Sequence, residues 1–244
     1  MAINVNTVYK TVLLILNQQQ RGYMTPDEFN KVATQVQQNI FERYEDDLNQ
    51  MYRVPQNDTE YANRVKNIEQ NLQYFQRTGT TTGTNPFTLV PGNTNIIGVA
   101  TTDTIYRLGS IIYQGTELTQ YAQRNELLQI LKSPITQPTK TFPIYLYENN
   151  LVYVYPTTIV NSTGELVTFS YLKAPAPVTW GYGVGSLGQY EYNANLSNDF
   201  ELEPTEQSNV ITRVLSYAGV IINDPTIIQV AQGEIQQEEQ NSKI

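Results

Sequence analysis

The chain contains no histidine and no cysteine. Histidine is the side chain whose unperturbed pKa lies nearest neutral pH and is the commonest metal ligand, and cysteine is the strongest ordinary nucleophile. Their absence excludes Ser-His-Asp and Cys-His catalysis, thiolate zinc sites, the HExxH class and any disulfide framework. We therefore expect no catalytic residue, no metal site, no cofactor and no enzymatic activity.

Charged residues are also scarce, at 16% of the chain against about a quarter in typical soluble domains. Asn, Gln and Thr supply the remaining polarity, together with 18 tyrosines. Tyrosine is large, stiff and amphipathic, which suits partly wet interfaces. The composition favours a structural or binding protein with flanks buried against neighbours. The codon usage of an AT-rich genome would give the same bias, and both explanations stay open.

Positive charge is in deficit, with 15 Lys and Arg against 23 Asp and Glu, so the net charge is −8. A protein that grips a nucleic-acid groove needs a basic surface, which this balance does not favour. An acidic protein could still surround DNA without holding it. The chain also lacks a basic signal-peptide segment, and its early apolar run Val12–Leu16 is too short to span a membrane. We expect synthesis in a cytoplasm and no membrane contact.

Hydrophobic periodicity predicts an α+β protein that begins with a helical bundle over residues 1–78. A first helix is expected from Asn4 to about Gln20. Thr25-Pro26-Asp27-Glu28 has the form of a capping box, with proline at the first helical position, and predicts the start of a long second helix. A third helix should follow Asp58. Its apolar stripe comprises Tyr61, Val65, Ile68, Leu72 and Phe75.

Residues 79–192 are predicted to form a small antiparallel β domain with one inserted helix. The segment Thr78–Pro86 has the composition of a linker. Short β-branched and aromatic runs follow, and Glu148-Asn149-Asn150 predicts a tight turn between two of them. The inserted helix is expected from Thr116 to Leu131. The predicted strands are Phe87–Val90, Ile96–Ala100, Thr104–Leu108, Ile111–Gln114, Ile144–Tyr147, Leu151–Tyr155 and Leu166–Leu172.

Residues 193–244 are predicted to be helical and to return to the bundle. One helix should open at Pro204-Thr205-Glu206, and a second should run from Pro225 to about Glu239. The segment from Gln232 to Ile244 is polar and acidic with almost no apolar stripe. Such a tail commonly folds against a partner. The candidate partner contacts in it are Gln232, Glu234, Ile235, Glu238 and Ile244.

Two groups of acidic residues are candidates for catalytic or metal sites. The residues 45–47 (Glu-Asp-Asp) lie within a predicted helix, where consecutive side chains point about 100° apart, so a solvated face is the favoured interpretation. Glu201 and Glu203 would share one face of a strand, as a carboxylate pair could. A tail-associated glycosidase would need one of these two residues, and it stays a minor alternative.

The only Gly-rich stretch, Trp180–Gly188, has alternating glycines and lacks the GK[ST] of a phosphate-binding loop. We interpret it as a flexible loop that presents Trp180 and Tyr182 to a neighbour or to sugar. Tyrosines also occur two residues apart in two predicted strands, at Tyr145 and Tyr147 and at Tyr153 and Tyr155. They could stack on carbohydrate or on single-stranded nucleic acid, or they could simply pack a sheet.

Three stretches of the chain resemble a structural protein of crAss-like and related short-tailed phages of Bacteroidetes hosts. The first is Val8–Asn30, with the sequence VYKTVLLILNQQQRGYMTPDEFN. The second begins at Ser133-Pro-Ile-Thr-Gln-Pro-Thr139 and includes Phe142-Pro-Ile-Tyr145, Tyr155-Pro156 and Tyr171-Leu-Lys-Ala-Pro175. The third is Glu206-Gln-Ser-Asn-Val-Ile211 with Leu215-Ser-Tyr-Ala-Gly-Val-Ile-Ile-Asn-Asp-Pro225.

This resemblance implies a ring-forming protein of the head-to-tail connector, similar to the adaptors that dock beneath phage portals. It implies a twelvefold homo-oligomer around the DNA channel, with the next tail ring below and a C-terminal segment that reaches into the portal. In this chain, residues Gln232 to Ile244 correspond to the portal-binding C-terminal segment. The implied location is the virion, after synthesis in the bacterial host cytoplasm. A ring in a lower tail layer and a carbohydrate-binding surface module stay open as alternatives.

Overall fold

The structure is a computed structural model that describes residues 2–18, 23–51, 64–90, 96–159, 166–222 and 229–237. It confirms the α+β class, with helices at both ends of the chain and sheets between them. Two compact units divide the chain. The helical unit comprises Met1–Tyr74 and Pro175–Ile244, and the β unit comprises Phe75–Ala174. The segment 175–192, which we expected in the β domain, therefore belongs to the helical unit.

The helical unit begins with three helices: α1 (Val5–Gln18), α2 (Pro26–Met51) and α3 (Arg64–Leu72). The predicted capping box is confirmed. The Thr25 N–H donates to Glu28 Oε2 at 2.9 Å, and the Glu28 N–H donates to Thr25 Oγ1 at 3.4 Å. This reciprocal pairing satisfies donors that a helix start leaves unpaired, and it lowers the pKa of Glu28. The predicted third-helix start at Asp58 and the stripe residue Tyr61 lie outside the described residues.

The β unit holds two sheets around one hydrophobic core. Phe169 on one sheet and Val154 on the other are both buried in that core. The strands are β1 (Gln76–Thr81), β2 (Phe87–Thr88), β3 (Ile96–Ile97), β4 (Ile105–Tyr113), β5 (Glu117–Leu118), β6 (Gln120–Tyr121), β7 (Ile144–Glu148), β8 (Leu151–Tyr155) and β9 (Val167–Lys173). Their order is β3-β1-β9-β4-β5 in the first sheet and β2-β8-β7-β6 in the second. All strand pairs in these sheets are antiparallel except β6 and β7, which are parallel.

The predicted linker at Thr78–Pro86 is wrong, because its first residues form most of strand β1. This strand lies in the interior of the first sheet and pairs with β9 from Gln76↔Leu172 to Thr81↔Val167. A Cβ on Gly79 would lie 2.7 Å from the Phe169 ring. Close packing therefore requires glycine at this position, where the composition of the sequence predicts a linker.

The inserted helix, α4 (Arg124–Lys132), is shorter than the predicted Thr116–Leu131. A turn with positive φ at Gln114 and Gly115 reverses the chain, and β5 and β6 follow it. The Thr119 N–H then donates to the Ile111 carbonyl at 2.9 Å. Because of this local pairing, the first residues of the predicted helix form strands β5 and β6 instead. Helix α4 covers the outer face of the second sheet and buries Leu127 against Leu146.

The chain then re-enters the helical unit. A hairpin of β10 (Tyr182–Val184) and β11 (Tyr190–Tyr192) precedes helix α5 (Gln207–Ile222), which starts after a 3-10 turn at Pro204–Glu206. Residues 229–237 form a further helix, α6. The core of this unit includes Val5, Val8, Val12, Leu16, Phe29, Ala33, Val36, Ile40, Phe41, Val210, Val214 and Ala218.

Candidate partner-contact surfaces

The extended segment 176–180 is held along α2 by polar side chains spaced four and three residues apart on that helix. Each of these side chains forms a hydrogen bond with a backbone N–H or carbonyl group of the segment, as a neighbouring β-strand usually would. Gln37 Nε2 donates to the Ala176 carbonyl at 2.7 Å, the Val178 N–H donates to Thr34 Oγ1 at 3.1 Å, and the Trp180 N–H donates to Asn30 Oδ1 at 2.7 Å. The segment is therefore fixed in the helical unit and carries Trp180 into its core.

Trp180 is a core residue, with only 4% of its surface exposed. Its indole Nε1 donates to Asn6 Oδ1 at 3.2 Å. Ring centroids of Tyr9, Tyr192 and Tyr182 lie 4.5, 5.7 and 5.9 Å away. The expectation that this residue is presented to a partner does not agree with its burial. An aromatic ring flanked by glycine looks alike in sequence whether it faces solvent or core.

Tyr182 lies half-buried at the base of the β10–β11 hairpin, where its ring stacks on Trp180 with an interplanar angle of 24°. Its hydroxyl donates to Asp27 Oδ1 at 3.3 Å. Desolvation raises the pKa of Tyr182, and the Asp27 carboxylate raises it further. Tyr182 thus joins the hairpin to the start of α2, and only part of its ring is available for contact.

The tip of the hairpin is the exposed part of the Gly-rich stretch. Val184 is 68% exposed and Leu187 is 90% exposed. The loop between the strands is closed by hydrogen bonds: the Gly185 N–H donates to the Gln189 carbonyl at 2.9 Å, and the Gly188 N–H donates to the Gly185 carbonyl at 2.9 Å. Gly188 has a φ of +80°, which favours glycine there. The predicted flexible loop is thus an ordered hairpin that projects Leu187, a residue the sequence reasoning missed.

The candidate contacts near the C-terminus are only partly described. Gln232 and Glu234 are exposed on α6, and Ile235 is half-buried. Glu234 Oε2 accepts a hydrogen bond from Thr212 Oγ1 on α5 at 3.3 Å, so this carboxylate contacts its own chain. The other two candidates, Glu238 and Ile244, lie outside the described residues.

The β unit carries exposed apolar side chains around α4, which we call the α4 face. Three large apolar residues with more than half of their surface exposed lie on this helix or in the segment that follows it: Leu128, Ile135 and Phe142. A pocket of about 220 Å³ opens between the helix and the second sheet. It is lined by Arg124, Leu127, Leu128, Leu146, Tyr153 and Tyr155. Apolar patches of this kind mark interaction sites on soluble proteins.

Arg124 forms the polar part of this pocket. Its Nε donates to Glu148 Oε1 at 2.8 Å, and its Nη2 donates to Glu148 Oε2. The hydrogen bonds from the guanidinium lower the pKa of Glu148. The Arg124 side chain is 67% exposed, and the two bonds use only two of its five N–H donors. The pocket thus combines an apolar lining with a solvent-accessible guanidinium that its ion pair with Glu148 holds in place.

The four strand tyrosines do not form one platform. Tyr145 and Tyr147 pack against the core between the two sheets, whereas Tyr153 and Tyr155 pack on the opposite face beneath α4. The register explains this division, because Tyr145 lies opposite Val154 and Leu146 lies opposite Tyr153. Two of the four rings therefore line the pocket, and the other two are part of the core.

Two of the acidic candidate residues, Glu201 and Glu45, are engaged or buried within the fold. Glu201 Oε2 accepts the Ala176 N–H at 3.0 Å, and its own N–H donates to Gln37 Oε1 at 2.8 Å. Glu45 is only 7% exposed, so the expectation of a solvated face over residues 45–47 is wrong at that position.

The described part of the chain contains no group of three or more acidic side chains that could hold a metal ion.

Within the described ranges, no helix is both long enough and apolar enough to cross a membrane. Comparison with protein-family models and with curated protein sequences finds no match to this chain.

Proposed function

We propose that this chain is a structural virion protein that forms a ring in a phage head-to-tail connector, as an adaptor below the portal. The observation that carries the proposal is the α4 face, where Ile135 is 94% exposed and Phe142 is 79% exposed beside an apolar pocket. A free monomer gains nothing from such exposure, whereas a subunit buries these side chains against its neighbours. The resemblance of the chain to ring-forming connector proteins supplies the type of assembly.

The proposed ring is a twelvefold homo-oligomer that contacts the portal through the segment 232–244 and the next tail ring through the β unit. Double-stranded DNA passes through it without specific binding. The net charge of −8 supports this role, because an acidic lumen repels phosphates. The proposed location is the virion neck, after synthesis in the host cytoplasm. A structure of the ring with Lys and Arg concentrated on the lumen would contradict the DNA part of the proposal.

The adaptor role is favoured over a carbohydrate-binding module because the aromatic residues do not form an exposed platform. Trp180 is buried, and the four strand tyrosines lie on two faces of their sheet. Catalytic use of Glu201 is also less favoured, because its carboxylate already accepts a backbone hydrogen bond. A ring in a lower tail layer has the same structural support as the adaptor, and the assembly experiment separates the two.

The test is negative-stain imaging of the purified full chain, alone and mixed with the portal protein of the same phage. Closed rings, or rings that form only on the portal, are the expected result and give the copy number. Rings that ignore the portal would assign the chain to another tail layer. A monodisperse monomer in both samples would overturn the proposal.

A further inference from the structure

We propose that neighbouring copies of this chain join head to tail, with the β10–β11 hairpin tip of one copy seated in the α4 pocket of the next. Leu187 is the inserted residue, and the pocket lined by Leu128 and Tyr153 receives it. This inference rests on the proposed ring and adds the contact that would build it. A heterologous contact of this kind closes into a ring or continues as an open filament, depending on the rotation between copies.

The hairpin tip has the properties of a pre-organised apolar knob. Leu187 is the most exposed large apolar residue described in the helical unit, at 90%. Its N–H donates to the Gln189 side-chain Oε1 at 3.2 Å, and Gln189 Nε2 donates to Glu191 Oε1 at 3.0 Å. These bonds hold the loop in one conformation, so little conformational entropy is lost when it docks. Val184 adds a second exposed apolar side chain beside the tip.

The α4 pocket offers an apolar recess for such a side chain. Its volume is about 220 Å³, and five of its six lining residues are Leu or Tyr, the sixth being Arg124. Leu128 on its rim is 55% exposed, so the apolar lining is accessible from solvent. A leucine side chain that enters this pocket buries apolar surface on both partners, at roughly 25 cal/mol per Å².

Charge favours a second copy of this chain as the occupant. The only charged residue of the hairpin 182–192 is Glu191, which is exposed beside the tip. The pocket carries the exposed guanidinium of Arg124, which has donors beyond the two that bind Glu148. A neighbour's Glu191 can therefore approach the cation while its Leu187 enters the apolar lining. One chain thus carries both complementary halves of the contact.

The absence of cysteine makes the contact directly testable by thiol cross-linking. Two full-length variants, Leu187→Cys and Leu128→Cys, are mixed and treated with a short bismaleimide. The expected product is a covalent dimer from the mixture and none from either variant alone. A chain that carries both substitutions should give a ladder of higher oligomers, because each copy then links to two neighbours.

The matched control is Leu14→Cys mixed with Leu128→Cys. Leu14 is 58% exposed on α1, so its thiol is as accessible as that of the rim residue but lies outside the hairpin. The expected yield of dimer from this mixture is at the background of random collision. In a second readout, Leu187→Asp should abolish self-association in sedimentation velocity, whereas Leu14→Asp should leave it unchanged.

Two results would overturn the contact. A yield from Leu187→Cys with Leu128→Cys no higher than that of the Leu14 control would exclude it. Dimers from Leu187→Cys alone would show that two hairpins meet each other instead. If the cross-link fails in this way but negative stain shows rings, the contact is rejected and the connector proposal is kept. Cross-linked open chains that never close, with or without portal protein, would keep the contact and reject the ring.

Discussion

Asn30 holds both backbone groups of Trp180: its Oδ1 accepts the Trp180 N–H at 2.7 Å, and its Nδ2 donates to the Trp180 carbonyl at 3.4 Å. A side chain on a helix here makes the pair of bonds that a neighbouring β-strand usually makes. Because Thr34 and Gln37 continue the pattern, α2 satisfies one edge of an extended segment without a sheet. The position of Trp180 therefore depends on three polar residues that sequence patterns place on a helix surface.

Replacement of Asn30 by Ala should destabilise the helical unit by about 1–3 kcal/mol, because the Trp180 N–H loses its partner in a partly buried site. The measurement is urea unfolding followed by far-ultraviolet circular dichroism. Asn30→Asp keeps the acceptor and should lose less. Gln35→Ala on the same helix removes an exposed bond to Asn39 and serves as the control, with little expected change. Equal losses for Asn30→Ala and Gln35→Ala would contradict the assigned role.

Replacement of Gly79 by Ala should destabilise the β unit by about 1–3 kcal/mol, because the new Cβ would lie 2.7 Å from both Phe169 and Val99. The control is Gly183→Ala in β10, where a Cβ meets nothing within 4 Å, and its expected effect is within about 0.5 kcal/mol. Thermal unfolding of the two variants provides the comparison. A Gly79→Ala protein as stable as the wild type would show that strand β1 can move away from β9 at no cost.

Tyr171 should make the β unit sensitive to alkaline pH. Burial, and then a hydrogen bond from its hydroxyl to Asp103 Oδ2 at 3.0 Å, raise the pKa of Tyr171 to about 12, above the ordinary tyrosine value of about 10. Since the folded form holds the proton more tightly than the unfolded form, its stabilisation is complete below pH 10 and is lost as the pH rises through 12. The stability difference between wild type and Tyr171→Phe should therefore shrink above about pH 10. Urea unfolding of both proteins across this range measures it, and a constant difference would refute the assignment.

The excised fragment 75–174 should fold by itself. Its two ends are neighbours, because β1 and β9 pair along their length and the Lys173 N–H donates to the Phe75 carbonyl at 2.9 Å. The matched comparison is the fragment 79–192, which follows the boundaries expected from sequence. It lacks the first three residues of β1 and carries the segment that α2 binds. Amide dispersion in proton–nitrogen spectra should be wide for the first fragment and poorer for the second, and the reverse order would contradict the observed unit boundary.

Deletion of residues 232–244 should leave both units folded but abolish docking to the portal. The described part of this segment is mostly exposed: the Thr212 hydroxyl donates an exposed hydrogen bond to Glu234, and Ile235 is half-buried. The free energy of unfolding should therefore change little. Co-sedimentation of the truncated chain with portal protein measures the docking. Binding at the wild-type level would remove the proposed role of the segment while leaving ring formation open.

Local rules predicted the elements whose signals lie within a few residues. The capping box at Thr25 and Glu28 gave the start of α2, because reciprocal side-chain bonds are encoded at a fixed spacing. The turn at Asn149 and Asn150 was likewise predictable, since asparagine tolerates the positive φ values of 51° and 59° that it adopts there. The β-branched runs located most strands of the β unit for the same reason.

The contacts that decide the candidate surfaces are long-range and were not predictable in this way. Asn30 lies 150 residues from Trp180, so nothing local shows that this helix binds backbone there. Gly79 looked like a linker residue because the Phe169 ring that requires it is 90 positions away in sequence. The exposure of Leu187 likewise depends on a hairpin formed by two three-residue strands, which is too short to leave a clear alternating pattern.

The burial of Trp180 also gives the molecule a built-in optical reporter. It is the only tryptophan in the chain, it is 4% exposed, and it lies in the helical unit. Emission excited at the red edge of tryptophan absorption therefore reports the polarity around this one indole and is silent about the β unit. If the emission maximum shifts at a lower denaturant concentration than the strand signal is lost, the two units melt separately. Coincident transitions would mean that the inserted β unit and the unit that surrounds it in sequence unfold as one cooperative body.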